Sequence, residues 1–254
     1  TGITVTPPTK QEYVVGQEMD LTGGKITATY NDGSVVENIP MTEDMITGYE
    51  KTSRGEQIIT VTYEGKTTTF IVEVIAKVVT EITITPPTKQ EYVVGQEMDL
   101  TGGKITAIYN DGDVDENILI TENMVYGYNK DQLGVQTITV VYEGKSATFT
   151  VNVIAKVVTG ITVTPPTKLE YVEGQSLDLT GGKITATYND GSVVENIPMT
   201  LAMVSGYDKT QLGEQIITVT YEGKTATFTV NVIAKVVTGI TVTPPTKQEY
   251  VVGQ

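Results

Sequence analysis

The chain repeats itself every 79 residues. Thr1-Gly-Ile-Thr-Val-Thr-Pro-Pro returns as Thr80-Glu-Ile-Thr-Ile-Thr-Pro-Pro, again from Thr159, and a third time from Thr238. No insertion breaks the spacing, so the 254 residues are three full copies and the opening of a fourth. A strict long period is the mark of an array in which each copy supplies one structural module. The expected domains are therefore 1–79, 80–158 and 159–237, with 238–254 as the first strands of a further copy. Because the chain opens and closes inside this pattern, it reads as a piece of a longer protein.

Within one copy the apolar residues recur every second position. Ile3-Thr-Val-Thr alternates and then meets Pro7-Pro8, which removes two backbone donors and confines that strand to an edge. Tyr13-Val14-Val15 resumes after the kink, as a first strand would on switching between two sheets. Ile26, Ala28 and Tyr30 share a face and lead into Asn31-Asp32-Gly33, a hairpin signal because Asn and Gly tolerate positive φ. Val35 to Met41 is the return strand, and Met45 to Tyr49 a short corner around Gly48. Ile59, Val61 and Tyr63 face one way, Glu64-Gly65 turns, and Phe70, Val72 and Val74 face the same way on the last strand. About seven short strands with regular turns and no helical period predict an all-β sandwich with Greek-key connections. The joint Val74-Ile-Ala-Lys-Val-Val-Thr has no Gly/Ser-rich tether, so the copies are expected to touch and form an elongated, semi-rigid rod.

Composition removes whole chemistries. The chain has no Cys, His or Trp, so Ser-His-Asp and Cys-His nucleophile systems, thiolate or imidazole zinc sites and a thioester are out of reach. A net charge of −14 repels phosphate backbones and makes nucleic acid an unexpected partner. No stretch reaches the roughly 20 apolar residues of a membrane span. No catalytic residues and no cofactor are expected.

Three features suggest sites. Asp111, Asp113, Asp115 and Glu116 gather at one hairpin and offer hard oxygen ligands for Ca²⁺. Glu116 stands where an EF-hand loop requires Gly, and copies one and three place Ser and Val at two of the acidic positions, so a solvated hairpin tip is the favoured reading. Tyr128, like Tyr49 and Tyr207, follows a Gly at the corner, and Tyr126 adds a second ring in copy two alone, together a candidate platform for sugar. Core or corner packing is the favoured reading there too. Asn152 and Asn231 face outward, which rules out a buried Lys–Asn isopeptide bond, and Glu64-Gly65-Lys66 needs no role beyond its turn. The apolar positions of 238–254 (Ile240, Val242, Tyr250, Val251, Val252) are expected to be buried, on copy three or by strand exchange with another chain.

The run Ile-Thr-Val-Thr-Pro-Pro, Leu-Thr-Gly-Gly-Lys-Ile-Thr-Ala-Thr-Tyr-Asn-Asp-Gly, Gly-Tyr and Tyr-Glu-Gly-Lys resembles the bacterial immunoglobulin-like domain, group 3, across all three copies. The resemblance implies tandem immunoglobulin-like sandwiches in large exported proteins of Gram-positive bacteria, outside the membrane, in an accessory role. It implies no shared active site. The functional expectation is a non-catalytic stalk or spacer, flanked by further repeats and by head and anchor domains. The alternatives are an adhesive module for a glycan or host protein, and a fibre subunit linked by strand exchange.

Overall fold

The computed structural model describes residues 2–246 and 252–253. Copy one contains β1 Gly2–Thr6, β2 Glu12–Val14, β3 Lys25–Thr29, β4 Val35–Pro40, β5 Ile46–Thr47, β6 Gly55–Tyr63 and β7 Lys66–Ile75. Copy two repeats them as β8 Val79–Thr85, β9 Glu91–Val93, β10 Lys104–Tyr109, β11 Val114–Leu119, β12 Val125–Tyr126, β13 Gly134–Tyr142 and β14 Lys145–Ile154. Copy three has β15 Val158–Thr164, β16 Glu170–Val172, β17 Lys183–Tyr188, β18 Val193–Pro198, β19 Val204–Ser205, β20 Gly213–Tyr221 and β21 Lys224–Ile233. Each copy pairs a three-stranded sheet, ordered β1-β3-β4 in copy one, with a four-stranded sheet ordered β2-β7-β6-β5. The chain is thus three immunoglobulin-like sandwiches in tandem. It divides into two compact units, Thr1–Val153 and Ile154–Gln254.

The diproline separates two partners for one stretch of sequence. β1 lies antiparallel to β3, whereas β2 lies parallel to β7, with Tyr13 opposite Val74. Pro7 and Pro8 cannot donate to a ladder, so the chain leaves one sheet and enters the other at that point. The alternation then fills the core. Ile26, Ile59 and Val61 are fully buried between the sheets and Val72 and Val74 nearly so, each worth roughly 1.5–3 kcal/mol of apolar burial. The outward residues of β4 are exposed, and its pairing with β3 shifts between Ile26 and Ala28. Asn38, at φ 61°, takes the left-handed conformation in that strand, a role suited to a short polar side chain.

One buried tyrosine organises the sheet crossing in every copy. Tyr13 is fully buried, its hydroxyl donates to the Lys10 carbonyl at 2.9 Å, and it accepts from the Asp20 amide at 3.2 Å. Tyr92 and Tyr171 do the same with Lys89 and Asp99, and with Lys168 and Asp178. Against each packs the corner ring, Tyr49 at 5.3 Å between centroids, Tyr128 at 5.4 Å and Tyr207 at 5.3 Å. Gly precedes each corner ring for a reason. A Cβ on Gly48 would stand 2.6 Å from the Ile58 carbonyl oxygen, on a backbone with φ +98°. Any side chain would push the corner off β6.

Tyr13→Phe leaves the Lys10 carbonyl and the Asp20 amide without their buried partner. The expected cost is about 1–3 kcal/mol, confined to copy one. Urea unfolding followed on copy-one NMR resonances checks it, because a single global transition is not assumed for an array.

Candidate functional site

The joint between copies one and two is built by an asparagine that belongs to a hairpin. Ile75, at the end of β7, is still held by copy one, its carbonyl accepting from the Val15 amide at 2.9 Å. The next carbonyl, Ala76, already accepts from Asn110 Nδ2 of copy two at 2.9 Å. Val78 N–H donates to Asn110 Oδ1 at 3.0 Å, and Asn110 N–H donates back to the Val78 carbonyl at 3.1 Å. One side chain thus spans the linker from Ala76 to Val78 and leaves it no free residue.

Charge closes the same clasp. The Lys77 ammonium lies 2.7 Å from Asp111 Oδ2, also pairs with Asp113, and sits 4.9 Å above the Tyr109 ring. Lys77 is held above the usual lysine range, first by Asp111 and then by Asp113. Asp111 is held below the usual carboxylate range, chiefly by Lys77. The hairpin that presents these groups is tight because Gly112 adopts φ 88° and its amide donates to the Tyr109 carbonyl at 3.0 Å.

The second unit contains the same arrangement. Asn189 Nδ2 donates to the Ala155 carbonyl at 2.9 Å, and Val157 N–H donates to Asn189 Oδ1 at 3.0 Å. Lys156 lies 2.8 Å from Asp190 and 4.8 Å above the Tyr188 ring. The valine that ends each linker then turns inward. Val79 and Val158 are 3% and 4% exposed, whereas their counterpart Val237, with no such hairpin against it, is 83% exposed.

The residues that the sequence singles out are placed differently from one another. Asp111 and Asp113 converge on Lys77, so an ammonium occupies the space between them that a cation would need. Asp115 lies on β11 opposite Ala107 and accepts from the Asn117 amide at 3.2 Å. Among the described residues no group of three acidic, His or Cys side chains is arranged to hold a metal ion. Tyr126 projects from β12, 58% exposed, with its hydroxyl donating to the Asn123 carbonyl at 3.2 Å. Tyr128 turns inward instead. It packs on Tyr92, donates to the Gln96 carbonyl at 2.7 Å, and its hydroxyl pKa is raised by burial. The two rings do not form one platform.

Residues 238–246 correct an expectation. Ile240 and Val242 are 84% and 81% exposed and no strand forms there, so the segment does not pack on copy three. In copies one to three the equivalent strand is held by its own β3, β10 or β17, and those partners are already paired on both edges. Val252 is also exposed, while Tyr250 and Val251 lie outside the described residues.

A family model described as bacterial Ig-like domain (group 3) matches residues 6–74, 85–153 and 164–232. The chain belongs to this family. It is 30% identical over 259 residues to pectate lyase L of Thermoclostridium stercorarium, covering 96% of the chain and 21% of the lyase. It is 30% identical over 155 residues to an exo-beta-1,6-galactobiohydrolase of Bifidobacterium longum subsp. longum, covering 59% of the chain and 10% of that enzyme. The chain therefore spans about a fifth and a tenth of the lengths of these relatives. Domains 1–6 of the surface layer protein SbsC align with 92% of the chain and 40% of that structure, at 17% identity and a TM-score of 0.34. Among the described residues no helix is long and apolar enough to cross a membrane.

The clasp has a pH signature. Asp190 is held far below the usual carboxylate range, by Lys156 first and then by Ser192. A depressed carboxylate stabilises the fold fully above its unfolded value of about 4, and that contribution is lost as pH falls through the lower folded value. Lys156→Met should raise the Asp190 pKa toward the ordinary range, read directly from its carboxyl NMR titration. An unchanged titration would mean that Lys156 does not hold it.

Proposed function

We propose that this chain is a non-catalytic spacer, three sandwiches of which the first two are joined by a locked linker, that sets the separation of other parts of a large bacterial surface or secreted protein. The observation that carries the reading is the joint itself. One residue, Ala76, follows the last position hydrogen-bonded to copy one, and its own carbonyl is already bound to copy two. A tether built for independent motion would carry several unbonded residues. Stability in such an array is approximately the sum of module and interface terms, so each joint adds stiffness locally. The relatives named as a pectate lyase and an exo-beta-1,6-galactobiohydrolase are several times longer than this chain, consistent with an accessory segment beside a catalytic part. In keeping with the family, the reading locates the chain outside the cell membrane, with head and anchor domains as its covalent neighbours. The three sandwiches then correspond to domains 1–79, 80–158 and 159–237, except that Val79 and Val158 open the first strand of the copy that follows.

A second reading rests on Tyr126. Its exposed ring stands opposite Thr139, which in turn pairs with Thr148 on an outward face rich in hydroxyls, a surface suited to a polysaccharide chain. Adhesion through this face is compatible with a spacer, and it makes copy two the binding module.

Absence of native Cys makes spin labelling clean. With labels at Thr67→Cys and Ser146→Cys, both exposed, electron–electron distance measurement should give a narrow distribution that broadens in Asn110→Ala. A distribution already broad in the parent chain would remove the spacer reading. Retention on insoluble polysaccharide that is lost in Tyr126→Ala would favour the adhesive one.

A further inference from the structure

Copy three carries a groove that is larger and less acidic than its counterpart in copy two, which has a volume of about 400 Å³ and includes Glu97 and Glu122 in its lining. It lies between the corner at Gly206-Tyr207 and the loop after β16, with a volume of about 550 Å³. Copies one and three differ at 14 of 79 positions, and six of the 14 fall among the nine residues lining this groove. Glu18, Met19, Glu43, Ile46, Thr47 and Glu50 of copy one are replaced by Ser176, Leu177, Leu201, Val204, Ser205 and Asp208. Two of these changes, Glu18 to Ser176 and Glu43 to Leu201, remove a carboxylate, and the other four keep the side-chain class.

In copies one and two an ion pair engages the lysine at this place. Lys51 pairs with Glu18, and Lys130 with Glu97, while Glu43 and Glu122 stand on the opposite wall in those two copies. Copy three replaces the first acid with Ser176 and the second with Leu201. Lys209 is consequently left with no carboxylate partner among the described residues. Asp208 is committed elsewhere, its carboxylate accepting from the Thr210 amide at 2.8 Å and hydroxyl at 2.7 Å. Leu201 is 67% exposed, and together with Leu177 and Val204 it gives the groove an aliphatic wall.

We propose that this groove of copy three docks an extended peptide segment carrying a carboxylate beside a leucine-sized side chain. The carboxylate meets Lys209, the one cation here released from its acid, and the apolar side chain covers Leu177, Leu201 and Val204. Charge complementarity selects an acidic partner, because an acidic segment is repelled by the carboxylates at the equivalent place in the other copies. Val204 and Ser205 form β19, the terminal strand of its four-stranded sheet, so backbone groups at the groove rim face no further strand. A sugar is the poorer fit. The Tyr207 ring is packed on Tyr171 at 5.3 Å and its hydroxyl donates to the Gln175 carbonyl at 2.7 Å, leaving no unengaged aromatic platform.

The test is an NMR titration of the full chain with three probes: a hexapeptide alternating Glu and Leu, its Gln-for-Glu counterpart, and an oligogalacturonide. The proposal expects the acidic peptide to shift the amides of Ser205, Gly206 and Lys209 while their copy-one and copy-two equivalents stay still. Ser176→Glu with Leu201→Glu should weaken that binding by at least about tenfold. Copies one and two carry Glu at both positions in the same fold, so the variant keeps its structure. Glu18→Ser with Glu43→Leu should open a second site in copy one. Absence of copy-three shifts, equal shifts in all copies, equal binding of the Gln peptide, undiminished affinity in the double-Glu variant, or stronger response to the oligogalacturonide would each overturn the proposal.

Discussion

Asn110 holds the joint between copies one and two, and Asn189 pins the segment that leads into copy three, each with a single amide that both donates and accepts. A linker of Ala-Lys-Val-Val has backbone groups that strand pairing does not reach. The asparagine side chain satisfies the Ala carbonyl and the second valine's predecessor amide at once, as a short strand would. Each bond contributes about 1 kcal/mol net. The lysine between them adds an ion pair to Asp111 or Asp190 and a contact over Tyr109 or Tyr188. With the linker fixed, Val79 and Val158 are carried into the next module's core. Between copies one and two, connection and core therefore form one continuous structure, with the hairpin as the part that joins them.

The modules can be nearly identical because their demands are identical. The buried Tyr13, Tyr92 and Tyr171 must satisfy the same two backbone groups, and the corner glycine must approach the same carbonyl. Substitutions collect where those demands are absent: on outward strand positions, and in the groove wall of copy three. An array of this kind keeps its mechanical parts fixed while leaving one surface of one copy available for other chemistry.

Much of this was legible from alternation and turns. The inward set Ile59, Val61, Phe70, Val72 and Val74, the hairpin at Asn-Asp-Gly, and the proline switch between sheets all follow from local pattern. The clasp was not legible. Asn110 reads locally as a turn former, and its partners Ala76 and Val78 lie more than 30 residues away, with no periodic signal to connect them. The partner of the acidic tip of copy two was hidden for the same reason, since Lys77, which pairs with Asp111 and Asp113, enters from the preceding linker. Tyr126 and Tyr128 differ by two positions, yet one faces out from a two-residue strand and the other turns in behind Gly127. Residues 238–246 retain strand-like alternation without strand structure, because alternation specifies a face and not the neighbour that must cover it.

The most direct measurement of the joint is hydrogen exchange at the Val78 amide. Val78 is 48% exposed and lies outside any strand, so an unrestrained linker would exchange there at close to the unfolded rate. A held joint predicts protection of Val78 comparable to edge-strand amides, lost in Asn110→Ala while the β13 and β14 amides stay protected. Exchange at the unprotected rate in the parent chain would contradict the account.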